Sequence, residues 1–122
     1  MSLYTYQKPL DLSYLYEISD HDRDFIKDMI DTIVRTTPAC IDEINAAMRE
    51  ERWNEIGRLV HKVKPSLLLL NIDSLSALIR TLEDNAKKAI NTDQIPEQVG
   101  HLTTFTGELI AELKDLMDSD SF

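Results

Sequence analysis

Apolar side chains recur at helical spacing in four long segments, and this pattern limits the possible folds more than any other feature. Intervals of three or four residues place side chains on one face of a helix, because an α-helix turns once in about 3.6 residues. The clearest stripe has successive intervals of 3, 4, 3, 4 and 3 residues. It consists of Trp53, Ile56, Val60, Val63, Leu67 and Leu70. This segment is predicted to be an amphipathic helix with Trp53 in the core.

Three further stripes predict three more long helices. The first runs from Ile26 to Met48 after a cap at Asp20 or Asp22, and Pro38 inside it predicts a kink. The second follows the break at Asn71 and Asp73 and places Leu75, Leu78, Ile79, Leu82, Ala86, Ala89 and Ile90 on one face. The third follows Pro96 and contains Val99, Leu102, Leu109, Leu113 and Leu116. A shorter helix after Asp11 contains Leu12, Leu15 and Ile18.

These elements predict an all-α fold, an antiparallel up-down four-helix bundle with a short leading N-terminal helix. Only 3 glycines and 4 prolines occur in 122 residues, too few for the many tight turns of a β-sandwich or barrel. A chain of this length supports one core, so we expect a single domain over 1–122. Within it, 1–10 is an N-terminal extension and 118–122 a frayed tail.

The net charge and the cysteine content exclude several classes of function and of cellular location. A net charge of −9 argues against binding to nucleic acid or to an anionic membrane surface. The single cysteine, Cys40, forms no internal disulfide and is expected to be a small buried hydrophobe. Without a signal peptide or a long apolar run, the chain is expected to be cytoplasmic. Because it starts with Met1 and ends near the last helix, we expect a free-standing chain. We also expect a monomer.

His61 has surroundings that a helix with a purely structural role in a bundle would not need. At about 100° per residue, the apolar stripe of the segment 53–70 points away from His61, so His61 faces outward. The residues within about 60° of it are Asn54, Gly57, Arg58, Lys64, Pro65 and Leu68. Glycine costs roughly 1 kcal/mol inside a helix, which suggests that another molecule approaches closely at Gly57. Leu68 adds apolar area on the same face.

The surroundings of His61 favour phosphoryl chemistry. Arg58, Lys62 and Lys64 outweigh Glu55 and give this segment a local charge of +2 within an acidic chain. A neutral imidazole is a competent nucleophile, and nearby cations stabilise a dianionic phosphoryl group. His21 and His101 lack such surroundings and are predicted to be surface residues.

The sequence Val60-His61-Lys62-Val63-Lys64-Pro65-Ser66, followed by Asn71-Ile72, Leu75, Leu78 and Leu82-Glu83, resembles the signature of histidine-containing phosphotransfer (HPt) domains. The resemblance extends from Asp11 to about Leu116. It implies that His61 is the phosphoacceptor and that Lys64 assists the phosphoryl group. The implied partners are receiver domains of a hybrid histidine kinase and of a response regulator. The receiver would bring the Mg²⁺, so the resemblance implies a phosphoryl carrier without its own cofactor or catalytic activity.

We expect receiver docking on Gly57, Arg58, Lys62, Pro65 and Leu68. The family commonly has glycine where this chain has Pro65, so the helix is expected either to kink there or to stop and restart. Ser66 is assigned to packing, because its angle lies closer to the core than to the phosphate.

Two alternatives remain at this stage. One is a helical adaptor that docks on receiver domains or kinases without accepting phosphate. The other is a metal or hydrolytic site that combines His61 with carboxylates. The second has little support, because the neighbours of His61 on its own helix are cations, which would repel a metal ion.

Overall fold

The computed structural model describes residues 6–120, and regular secondary structure within this range consists of α-helices. They are α1 (Ser13–Ile18), α2 (Arg23–Arg49), α3 (Trp53–Leu68), α4 (Asp73–Lys88) and α5 (Ile95–Asp118). The all-α fold class, with a short leading helix before four longer ones, is confirmed.

The four long helices pack in a ring. Helix α2 packs against α3 and α5, and α4 also packs against α3 and α5. Links of a few residues join consecutive helices, so neighbours along the chain run antiparallel. The stripes from all four helices form one core, to which α1 adds the buried Leu15. No helix within residues 6–120 is long and apolar enough to cross a membrane.

Two helix boundaries follow signals that the sequence shows, and one does not. The side chain of Asp22 caps α2 by accepting a hydrogen bond from the backbone N–H of Phe25 at 3.1 Å. Asn71, with φ of 56°, separates α3 from α4. The prediction that Ala89 and Ile90 belong to the apolar face is wrong. Helix α4 ends at Lys88, because Ala89 adopts a left-handed conformation with φ of 51°, and both residues are exposed.

Both internal prolines lie within continuous helices. Helix α2 continues through Pro38, and α3 continues through Pro65 to Leu68. The predicted stop and restart at Pro65 is therefore wrong. Pro65 has no N–H to donate to the His61 carbonyl, so α3 lacks this one hydrogen bond, and both residues lie on its exposed side.

The two ends of the described range pack on α5 and α2. Tyr6 is buried with its ring edge-on to Phe105, and its hydroxyl donates a hydrogen bond to Glu112. Asp118 is the last residue of α5, and Asp120 forms ion pairs with Arg23 at 3.1 Å and with Lys27 at 3.4 Å. The predicted tail thus begins inside α5, and its last residues, 121–122, lie outside the described range, as do residues 1–5.

Candidate functional site

His61 lies on the solvent-facing side of α3. Its side chain is 61% exposed, whereas Ile56, Val60 and Leu67 on the opposite side of the helix are buried. The ring therefore has the outward orientation that the helical angles predict. An imidazole placed in this way is accessible to a second macromolecule.

A carboxylate from the neighbouring helix holds the ring. Glu83 on α4 is only 10% exposed at its side chain, and its Oε2 lies 2.6 Å from His61 Nδ1. The other oxygen, Oε1, accepts a hydrogen bond from Lys64 Nζ at 2.6 Å. Lys87 Nζ lies 3.1 Å from Oε2, one helical turn along α4. Three side chains from two helices thus converge on one carboxylate.

The carboxylate of Glu83 is ionised at neutral pH. Burial raises the pKa of this group, but the hydrogen bonds from Lys64, Lys87 and His61 more than offset burial and lower the pKa to about 2. A buried carboxylate that is fully hydrogen-bonded to cations keeps its charge. The negative charge of Glu83 is therefore a fixed part of the site.

The negative charge of Glu83 determines which nitrogen of the His61 ring carries the proton and which carries the lone pair. An ionised carboxylate only accepts hydrogen bonds, so the ring must place its proton on Nδ1 to bind Glu83. Lys87 Nζ is also 3.5 Å from Nδ1, but its contact with Glu83 Oε2 is shorter, at 3.1 Å. In the neutral ring, Nε2 then carries the lone pair, and no group within residues 6–120 forms a hydrogen bond with it. The geometry presents an outward-facing nucleophile.

The ammonium groups of two lysines lie close to the imidazole ring of His61. Lys64 reaches the site although Pro65 follows it, because α3 remains helical through both residues. Lys87 approaches from α4, with half of its side chain exposed. Both ammonium groups are held by the Glu83 carboxylate, on the Nδ1 side of the ring.

The explanation that the sequence suggested for Gly57 is wrong. Gly57 is buried, and a Cβ there would lie 2.9 Å from Lys87 Cγ and 3.1 Å from the Lys87 backbone nitrogen. The close approach is therefore made by α4 of the same chain. Gly57 is not available to a docking partner.

The other residues of the expected docking patch lie on or near the surface. Arg58 is exposed and forms an ion pair with Glu55. Lys62 and Pro65 are exposed, and Leu68 is half-buried. Lys62 also lines a groove of about 330 Å³ between α2 and α3, opposite Cys40. The half-buried Ser66 lines the same groove.

Sequence reasoning missed Glu83 and Lys87 as site residues. Their contacts with His61 depend on how α4 sits against α3, which the angular analysis of a single helix does not include. The signal that could have found them is a Glu–Lys pair spaced by four residues, with its acidic member next to the apolar stripe at Leu82. The expectation that the neighbours of His61 are cations applied to its own helix, whereas the carboxylate against its ring comes from α4.

The remaining histidines lie elsewhere. His21 is exposed, with its ring centroid 6.1 Å from that of Tyr16. His101 is half-buried, with Nε2 3.4 Å from Glu97. Within residues 6–120, no group of three or more His, Cys, Asp or Glu side chains is arranged to hold a metal ion.

Comparison with protein families gives a match to the Hpt domain. The Hpt domain model matches residues 28–119, which include all of α3, α4 and α5 and most of α2. Comparisons with curated proteins and with solved structures give no match. Because the matched region contains most of the chain and the whole His61 site, the chain belongs to the Hpt domain family of phosphocarrier modules in two-component phosphorelays.

Proposed function

We propose that His61 accepts a phosphoryl group from the aspartyl phosphate of one receiver domain and passes it to the aspartate of another. The observation that carries this proposal is the pairing of an exposed imidazole with the ionised Glu83. This pairing leaves the Nε2 lone pair facing solvent.

The transfer step uses the residues around the ring. The Nε2 lone pair attacks phosphorus, the N–P bond forms, and the P–O bond to the aspartyl group breaks with its electron pair left on the aspartate carboxylate. The proton on Nδ1 stays in place, so the phosphorylated ring is cationic and the Glu83 carboxylate stabilises it at 2.6 Å. Lys64 and Lys87 then turn toward the phosphoryl oxygens. The reverse step delivers the group to the second receiver.

The cofactor for this step would belong to the partner. A receiver domain would bring the Mg²⁺, so the chain acts as a carrier without a cofactor or catalytic activity of its own. Its partners would be receiver domains of a hybrid histidine kinase and of a response regulator. We place the carrier in the cytoplasm as a monomer that binds neither nucleic acid nor membrane, in keeping with its net charge of −9.

Receiver docking would use the residues on or near the surface next to His61. Leu68 and Pro65 supply apolar contact area, and Lys62 and Arg58 add positive charge that attracts an acidic partner. Such a patch is small, which suits a carrier that must release each receiver after transfer.

The test is transfer of label from a phosphorylated receiver to the purified chain. We expect an acid-labile, alkali-stable label on the wild-type chain and none on the His61→Ala variant. His21→Ala is the matched control, because His21 is also exposed but lies on the α1–α2 link, and it should be labelled like the wild type.

A label that persists in His61→Ala would overturn the assignment of the acceptor. Stable receiver binding without any label on the wild-type chain would instead identify a non-phosphorylated adaptor.

A further inference from the structure

Gly57 marks a close approach between α3 and the backbone of α4. A Cβ at Gly57 would meet Lys87 at Cγ (2.9 Å), at the backbone nitrogen (3.1 Å) and at Cα (3.3 Å). Two of these atoms belong to the backbone of α4 and cannot rotate away. Any side chain at position 57 therefore pushes on the helix itself.

The two other glycines of the chain show that this contact is specific. Gly100 and Gly107 both lie in α5, and a Cβ at either would have no neighbour within 4 Å. Glycine inside a helix lowers stability by roughly 1 kcal/mol relative to alanine. Of the three glycines, only Gly57 lies where the missing side chain permits a close approach between two helices.

The approach at Gly57 lies next to the contact that holds the imidazole. His61 is one turn after Gly57 on α3, and Glu83 is one turn before Lys87 on the antiparallel α4. The Gly57–Lys87 contact and the His61–Glu83 hydrogen bond are therefore neighbouring contacts between the same two helices, one helical turn apart. A shift of α4 by a few tenths of an ångström at Gly57 would lengthen the 2.6 Å hydrogen bond between His61 and Glu83.

We propose that Gly57 is a positioning residue that sets the separation of α3 and α4 and thereby keeps the His61 proton on Nδ1. A free imidazole side chain in water favours the opposite tautomer, with the proton on Nε2. When α4 moves away, the ring loses the acceptor that holds its proton, and Nε2 loses its lone pair in part of the population. The proposal rests on the proposed function only where it links the tautomer to phosphoryl transfer.

The closing experiment reads the tautomer directly by ¹⁵N NMR of the His61 ring. In the wild-type chain we expect Nδ1 to have the shift of a protonated nitrogen and Nε2 that of an unprotonated one. In Gly57→Ala we expect both shifts to move toward a mixture of tautomers, while the helical circular dichroism stays unchanged. Phosphoryl transfer from a receiver should slow roughly tenfold, since the hydrogen bond lost involves a charged group.

Two sets of variants separate positioning from general packing. Gly100→Ala and Gly107→Ala add the same methyl group where there is space, and both should retain the wild-type ring shifts. Gly57→Ala/Lys87→Ala is compared with Lys87→Ala alone. The added Cβ still meets the α4 backbone after the Lys87 side chain is removed, so the shift toward the other tautomer should persist in the double variant.

Wild-type ring shifts in a folded Gly57→Ala chain would overturn the proposal. If Gly57→Ala is too unstable to study, the same measurement in the background of Gly100→Ala and Gly107→Ala restores stability without touching the site. The tautomer is measured without a partner, so a chain that is never phosphorylated would refute the proposed function and leave this test intact.

Discussion

Replacing Glu83 by glutamine tests how strongly the site depends on a buried charge. Glu83→Gln preserves the shape of the side chain but removes the negative charge that binds Lys64, Lys87 and His61. Glutamine offers one carbonyl oxygen as an acceptor, and its amide group donates toward groups that are themselves donors. We therefore expect the variant to be less stable than the wild type at neutral pH.

The expected loss of stability in Glu83→Gln follows from the pKa of Glu83. Folding lowers this pKa from an ordinary value of 4.5 to about 2, because the hydrogen bonds from the lysines and His61 outweigh the effect of burial. At about 1.36 kcal/mol per pH unit, this corresponds to at most about 3 kcal/mol of stability. Solvent reduces the value, since the side chain of Lys87 is 49% exposed.

The pH dependence has a definite sign. A carboxylate with a lowered pKa in the folded state stabilises the fold above its unfolded pKa, here 4.5, and the contribution is lost as the pH falls toward about 2. The difference in free energy of unfolding between wild type and Glu83→Gln should therefore be largest near neutral pH. It should shrink steadily between about pH 4.5 and about pH 2.

Urea denaturation over this pH range measures the difference. Asp84→Asn is a matched control, because Asp84 lies next to Glu83 on α4 and pairs with Lys88 at 2.9 Å on the exposed surface. This control should cost less than about 1 kcal/mol at every pH. A stability difference for Glu83→Gln that does not change with pH would refute the reasoning.

Three further predictions concern single side chains. Thr37→Val should leave stability unchanged or raise it by up to about 1 kcal/mol by thermal denaturation, because the buried Thr37 hydroxyl has no hydrogen-bond partner within residues 6–120. Tyr6→Phe should lower stability by about 1 to 2 kcal/mol in urea titrations, because it removes the hydrogen bond to Glu112; an unchanged midpoint would contradict this. Lys64→Ala should slow transfer of label to the chain roughly tenfold in single-turnover assays, and a wild-type rate would exclude a role for this cation.

The fold could be predicted because its determinants are local in sequence. Each long helix carries its own apolar stripe, and the cap at Asp22 and the proline at position 96 act within one turn. The error at Ala89 has a physical reason. Helix α4 ends where Ala89 adopts a left-handed conformation. A glycine at this position would have indicated such a helix end in the sequence, but an alanine does not.

The site was predictable only in part. The outward orientation of His61 and the proximity of Lys64 follow from angles on α3 alone. Glu83 and Lys87 reach the ring from α4, and their register against α3 is a tertiary property that the spacing within one segment does not contain. The local cost of Gly57 correctly indicated a close approach, but the spacing could not show that the approaching group was α4.

The division of the site between two helices has a consequence for protein engineering. A synthetic peptide copying 53–68, or the same segment grafted onto a foreign scaffold, would carry His61 and Lys64 but not the carboxylate that orients the ring. To transplant this chemistry, a designer would have to move the antiparallel hairpin 53–88 as a unit, with its interhelical spacing intact.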